Sequence, residues 1–179
     1  ENGNFNGLKS TCVKRYFHKK EFQKINLDKK YLKNFETDLV LLPRTVLKLS
    51  STFLEKTESL IILDRIYYLK QKNQCDFSLK ILTGLINSNL MNFWFEYKFS
   101  STKVTGGYFD LRGTQIKQIP LPIIPKPDQQ PFIDKVDQIL TLKKENPAAD
   151  TSALEREIDV MVYALYGLTE EEIEIVENS

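Results

Sequence analysis

Leu79-Lys80-Ile81-Leu82-Thr83-Gly84-Leu85-Ile86-Asn87-Ser88-Asn89-Leu90-Met91-Asn92-Phe93-Trp94-Phe95 is the stretch on which the fold turns. Ser78 reads as an N-cap, and Leu79, Leu82, Leu85, Ile86, Leu90, Phe93, Trp94 and Tyr97 recur at helical spacing. The pattern predicts one helix with a wide apolar face, packed on a sheet. A polar loop over 98–106 follows, then a short strand, Gly107-Tyr108-Phe109-Asp110-Leu111, a helical turn over Thr114–Gln118, and Ile119-Pro120-Leu121-Pro122. No catalytic group stands in this block. It reads as a recognition surface on a rigid support.

Upstream, residues 1–38 are basic and irregular, with Lys14-Arg15, Lys19-Lys20 and Lys29-Lys30. Asp28 is a candidate N-cap for a short helix carrying Tyr31, Leu32 and Phe35 on one face. Strands are predicted at Leu39–Leu42, at Arg44–Leu49 after an edge or bulge at Pro43, at Leu60–Leu63 and at Ile66–Leu69. Downstream, Pro120, Pro122, Pro125 and Pro127 stiffen an extended segment, because each ring fixes φ and removes a donor. Beyond it, a helix from Pro131 should bury Phe132, Ile133, Val136, Ile139 and Leu140. A second helix begins at the capping box Ser152-Ala153-Leu154-Glu155, carries Leu154, Ile158, Met161, Val162 and Leu165 on one stripe, and ends at Gly167. Thr169-Glu170-Glu171-Glu172 opens a last short helix. The expected class is α+β: a small β-rich domain over 39–127 with a packed helix, a basic segment over 1–38 and a helical extension over 128–179.

The 179 residues suit one domain or one domain with an appendage, and 41% apolar content can bury a core. Glu1 rather than Met opens the chain, which reads as a piece of something longer. No apolar run reaches the ~18 residues of a membrane span, and no leader pattern is present, so a soluble, cytoplasmic protein is expected. Cys12 and Cys75 form no CxxC pair and are expected to be reduced thiols. The net charge of +1 conceals a split. Residues 1–127 hold 21 Lys/Arg against 11 Asp/Glu, and residues 128–179 hold 4 against 13. A basic body that meets phosphate and an acidic extension that does not is one reading; an ordinary solvated surface is the other.

Several chemistries lack their parts. His18 is the single histidine, which leaves triads and His-based metal centres without partners. No GxGxxG or GxxxxGK[ST] loop offers a phosphate cradle. No aromatic-rich Asn-Pro-Pro or Asp-Pro-Pro tetrapeptide of the kind that holds a flipped adenine is present. Glu96-Tyr97-Lys98 has the Glu-x-Lys form of some metal-dependent nucleases, but Glu96 closes a helix and has no upstream acid on an adjoining strand. The Glu170–Glu174 run is explained by carboxylates at the positive end of a helix dipole.

Duplex recognition needs cations on phosphates and a few side chains at base edges. The loop Ser100–Tyr108 offers hydroxyls, Lys103, and two glycines that let the backbone come close to a partner. Taken alone, it reads more simply as a glycine turn joining helix to strand. Arg44 and Lys48, four apart on a predicted strand, should project to one face. Arg65 and Arg112 are further candidates, since Arg is the usual bidentate reader of guanine, or else structural ion pairs with Asp64 or Asp110. Lys48, Lys98, Lys103 and Lys117 suit phosphates; Arg44, Arg65, Arg112, Thr105 and Tyr108 suit the groove.

Leu82-Thr83-Gly84-Leu85-Ile86-Asn87-Ser88, Phe93-Trp94-Phe95, Gly106-Gly107-Tyr108-Phe109 and Ile119-Pro120-Leu121-Pro122 stand in an order that resembles a known family. It is similar to the C-terminal target-recognition (specificity) domain of TaqI-like adenine methyltransferases and type IIG restriction–modification enzymes, and to each half of type I specificity subunits. Ile66-Tyr67-Tyr68-Leu69 and the ending from Ile158 to Ile173 fit too, so the likeness runs over about 39–176 and leaves 1–38 outside it. The resemblance implies a mixed α/β domain that places loops in the major groove of double-stranded DNA. Methylation and cleavage would belong to methyltransferase and endonuclease domains of the same polypeptide. The parent would use S-adenosylmethionine and Mg²⁺, and this fragment no cofactor. The alternatives are a protein-interaction module docking on a methyltransferase subunit, and a metal-dependent nuclease built on Glu96 and Lys98.

Overall fold

The computed structural model describes residues 5–19, 22–25, 35–56, 60–72 and 75–179. In chain order they form β1 (Phe5–Leu8), β2 (Val13–Lys14), β3 (Phe17–His18), β4 (Phe22–Ile25), β5 (Leu39–Pro43), β6 (Thr45–Val46), β7 (Thr52–Leu54), β8 (Leu60–Ile62) and β9 (Ile66–Leu69). Helices α1 (Leu79–Asn87) and α2 (Asn89–Phe99), strand β10 (Phe109–Asp110) and helices α3 (Gly113–Ile116), α4 (Gln130–Glu145), α5 (Ser152–Tyr166) and α6 (Glu170–Glu177) complete the order. The fold is mixed α+β, and among the described residues its strands fall into small sheets of two or three.

β5 is buried at every position and lies between β7 and β9, antiparallel to both. Its run Leu39-Val40-Leu41-Leu42 can face apolar neighbours on both sides, as an uninterrupted hydrophobic strand must. One side meets a cluster with Leu8, Cys12, Val13, Leu54 and Leu60. The other meets Val46, Leu79, Ile86, Met91, Phe95, Phe99 and Phe109.

The N-terminal segment corrects the sequence reading. It is built of strands, with β1 antiparallel to β4 and parallel to β8, and β2 paired with β3. These strands are too short to show an alternating pattern, and β1 takes its register partly from β8, far along the chain. The helix expected from Asp28 falls in 26–34, outside the described residues.

The stretch Leu79–Phe95 is two helices, not one. Ser88 takes an extended backbone (φ −66°, ψ 155°) between α1 and α2. Its hydroxyl donates to Leu85 O (2.7 Å) and accepts from Met91 N–H (3.2 Å), ending one helix and capping the next. The buried Asp159 carboxylate of α5 accepts Asn89 N–H at 2.7 Å. Asn87 turns away to clamp Ser51: its Oδ1 accepts Ser51 N–H (2.7 Å) and its amide donates to Ser51 O (3.0 Å). The break rotates the stripe of α2 onto Met91, Phe95 and Phe99, and leaves Tyr97 81% exposed.

α4 buries Phe132, Val136 and Ile139 as the periodicity requires, against Ile81 and Leu85 of α1 and Ile158 and Val162 of α5. The approach is close at Gly84, where a Cβ would stand 2.4 Å from Phe132 Cε1. The extension therefore shares a core with the helix at the centre of the fold. The N-cap position of α5 is Thr151, one residue before the predicted Ser152, and the capping box expected there does not form: Thr151 Oγ1 donates to Glu155 Oε1 (2.6 Å) rather than accepting from the backbone. Gly167 closes it in the left-handed region (φ 67°), and Thr169 and Glu172 form the expected capping box of α6.

Candidate nucleic-acid interface

The strand predicted over Arg44–Leu49 holds for only two residues. β6 pairs antiparallel with β10, Thr45 opposite Asp110 and Val46 opposite Phe109. Arg44 lies in the bend between β5 and β6, and Lys48 past the end of β6, so the shared strand face expected for them does not form. The physical reason is the partner: β10 is two residues long, and pairing stops where it does.

That pairing gathers three arginines. Arg44 grips Asp110 with two donors, Nε to Oδ1 at 3.0 Å and Nη2 to Oδ2 at 3.1 Å. Its backbone joins the same corner, with Arg44 N–H bonded to Arg65 O (2.8 Å) and Leu111 N–H to Arg44 O (2.7 Å). Arg65 sits in the β8–β9 turn at φ +63°, donates Nη2 to Thr45 Oγ1 at 3.0 Å, and stands 3.8 Å from Asp110 Oδ1. Arg112, two residues beyond Asp110 on extended backbone, is exposed and opens α3, where its N–H bonds Gln115 Oε1 at 2.9 Å. The Arg44 hydrogen bonds hold the Asp110 carboxyl below its ordinary value against the cost of desolvation, with Arg65 and Arg112 adding to the pull. Three positive charges thus surround one negative charge at the protein surface.

The loop closes beside this corner. An antiparallel bridge joins Lys103 to Phe109. Val104 N–H bonds Tyr108 O at 2.7 Å, and Gly107 N–H bonds Val104 O at 3.0 Å. Gly106 and Gly107 take φ of 85° and 77°, the left-handed region that a side chain resists, which explains the glycine pair. Thr105 and Tyr108 are exposed at its tip. Lys103 ion-pairs with Glu96 of α2 and lies 5.2 Å over the Phe109 ring.

The remaining candidates sit elsewhere. Lys98 lies 5.0 Å over the Trp94 ring, and Lys117 is exposed past the end of α3. Lys48 lines a hollow of about 370 Å³ with Asn92, Phe93, Tyr97 and, from the C-terminal end, Val176 and Glu177. Glu96 and Lys98, the proposed nuclease pair, thus engage different neighbours, Lys103 and Trp94. Asp110 is the residue the sequence underrated. Arg44, its closest partner, is 66 positions away, and no local signal links them.

The family described as the TaqI-like C-terminal specificity domain matches the chain over residues 7–121. The chain belongs to this family. A TaqI-like specificity domain is the DNA-specificity part of a restriction–modification enzyme, which agrees with the resemblance read from the sequence. The match begins at residue 7 and so takes in the N-terminal strands, which the sequence reading had left outside it. No curated protein matches the chain. Within the specificity domain, the residues of the Gly84-Asn87-Ser88 motif serve packing and capping. The arginines and the glycine loop supply the exposed polar face. Among the described residues, no helix is long and apolar enough to cross a membrane.

Proposed function

We propose that this chain reads a specific sequence in double-stranded DNA, and that other domains of the same polypeptide carry out adenine methylation and DNA cleavage there. On this reading S-adenosylmethionine and Mg²⁺ serve those other domains, and the protein works in the cytoplasm. The observation that carries the proposal is the arginine corner at the β6–β10 edge, lying inside the segment that matches a DNA-specificity family. Guanidinium forks match guanine O6 and N7 in the major groove, and hydroxyls and lysines around them suit phosphate. Arg65, Arg112, Thr105 and Tyr108 are assigned to the groove, Arg44 to the corner that supports them, and Lys48, Lys98, Lys103 and Lys117 to phosphates. The acidic surface of helices α4 to α6 takes no phosphate and docks neighbouring domains.

Selection from a random duplex library tests this: the chain should enrich one defined sequence, and recovery of unenriched input would reject it. A second reading, a module that docks a partner protein, draws on Ile123, 98% exposed, and Leu121, 50% exposed, on the proline segment. The two part at low salt. A DNA reader binds random duplex with an affinity that falls as salt rises, whereas a pure docking module binds none.

A further inference from the structure

The arginines around Asp110 do not do the same work. We infer that Arg65 is the base reader, that Arg44 is a strut, and that Asp110 is a positioning residue that aims Arg65 at a guanine. This rests on the duplex-reading function proposed above and names the chemistry it recognises. The assignment follows from counting donors. Arg44 spends Nε and one Nη2 hydrogen on Asp110 in a closed two-point grip, while its backbone N–H bonds Arg65 O and its C=O accepts Leu111 N–H. A guanidinium so engaged keeps its Nη1 pair and second Nη2 hydrogen, three donors of five, but the carboxylate fixes their direction, and turning them to a base would break the grip.

Arg65 makes one side-chain hydrogen bond, Nη2 to Thr45 Oγ1, with Asp110 Oδ1 3.8 Å from the same nitrogen, and its side chain is 53% exposed. Its Nε hydrogen, Nη1 pair and second Nη2 hydrogen remain, four donors against the three of Arg44, and they can turn as a two-donor fork onto guanine O6 and N7. Its backbone supports the same assignment. Apart from Tyr16, Arg65 is the one described non-glycine residue with positive φ, in a turn where glycine or asparagine would sit without strain. Such strain is a mark of functional sites, and here it aims a long cation back across β6 at Thr45 and Asp110. The carboxylate 3.8 Å away keeps two guanidiniums side by side that would otherwise repel and splay. Asp110 thereby costs some attraction for phosphate and secures direction.

Three variants of this chain, each profiled on the random duplex library and titrated with random duplex over a salt series, test the assignment. Arg65→Ala should erase a guanine preference at one position, a loss of roughly five- to hundredfold in discrimination, with the other positions intact. Arg44→Ala should lower the melting temperature while every positional preference survives. Asp110→Asn should do two opposite things: bind random duplex more tightly with a steeper salt dependence, and discriminate less at the Arg65 position. A residue that only held the fold together would not raise non-specific affinity while lowering specificity. Arg65→Lys keeps the charge without the fork and should lose the preference as Arg65→Ala does, which guards against a variant that merely unfolds. The inference is overturned if Arg44→Ala flattens a guanine position that Arg65→Ala leaves intact, or if Asp110→Asn moves affinity and specificity together. If the unaltered chain enriches no sequence, the duplex-reading function itself fails, and that outcome is separate from either.

Discussion

The α1–α2 joint and the β6–β10 corner are both built from polar residues, and they use them in opposite ways. At the joint, Asn87 and Ser88 are buried and their hydrogen bonds close on Ser51, Leu85 and Met91, with Asp159 completing the cap. At the corner, Arg44 and Arg65 converge on one carboxylate, Arg112 adds its charge nearby, and donors stay in solvent. A closed set of bonds specifies the fold; an open set leaves something for a partner. The residues by which the family resemblance is visible therefore belong to the scaffold, and the residues assigned to reading lie outside the motif.

This contrast predicts stability losses at the joint and, at the corner, specificity losses at Arg65 and Asp110. Phe132→Ala, which empties a fully buried ring site against Gly84, should cost about 3–5 kcal/mol in chemical denaturation and leave the selected DNA sequence unchanged. Asn87→Ala leaves Ser51 N–H buried without its acceptor and should cost about 1–3 kcal/mol, again with the sequence preference intact. A changed preference in either folded variant would break the division.

Asp159 sharpens the comparison through pH. Burial raises its carboxyl above the ordinary 3.8, with the Arg15 charge and the Asn89 N–H opposing and Glu155 and Glu177 adding to the rise. A carboxyl raised in the fold contributes stability that is complete below the unfolded value and is lost as pH climbs through the folded one. Asp159→Asn keeps an acceptor for Asn89 N–H and removes the buried charge. It should melt higher than the unaltered protein at neutral pH and equally at about pH 3. A higher melting temperature at both would show that charge is not the cause.

The smallest effect belongs to the lysines. Lys117→Ala should weaken all duplexes alike and reduce the salt slope of binding by about 1, measured by titration at several salt concentrations.

How far the sequence reveals this molecule depends on how local each cause is. The α4 stripe, the Gly167 terminus and the Thr169 capping box depend on neighbours within a few residues, and all stand where the sequence places them. The break at Ser88 needs the Asp159 carboxylate and the Ser51 backbone, 70 and 36 positions from their partners, and the apolar pattern alone reads straight through it. The N-terminal strands take register from β8, and the Arg44–Asp110 grip spans 66 positions. For the interface, the sequence supplies the arginines but not their convergence, because the carboxylate that gathers them becomes their neighbour only once β10 pairs with β6.

Hydrogen–deuterium exchange on the chain, with and without the duplex it selects, tests the central claim most directly. The account predicts new protection at residues 44–46, at 65 and across 102–113, with residues 84–88 equally protected in both states. Protection confined to the α1–α2 joint or to α4–α6, with the arginine corner unchanged, would contradict it.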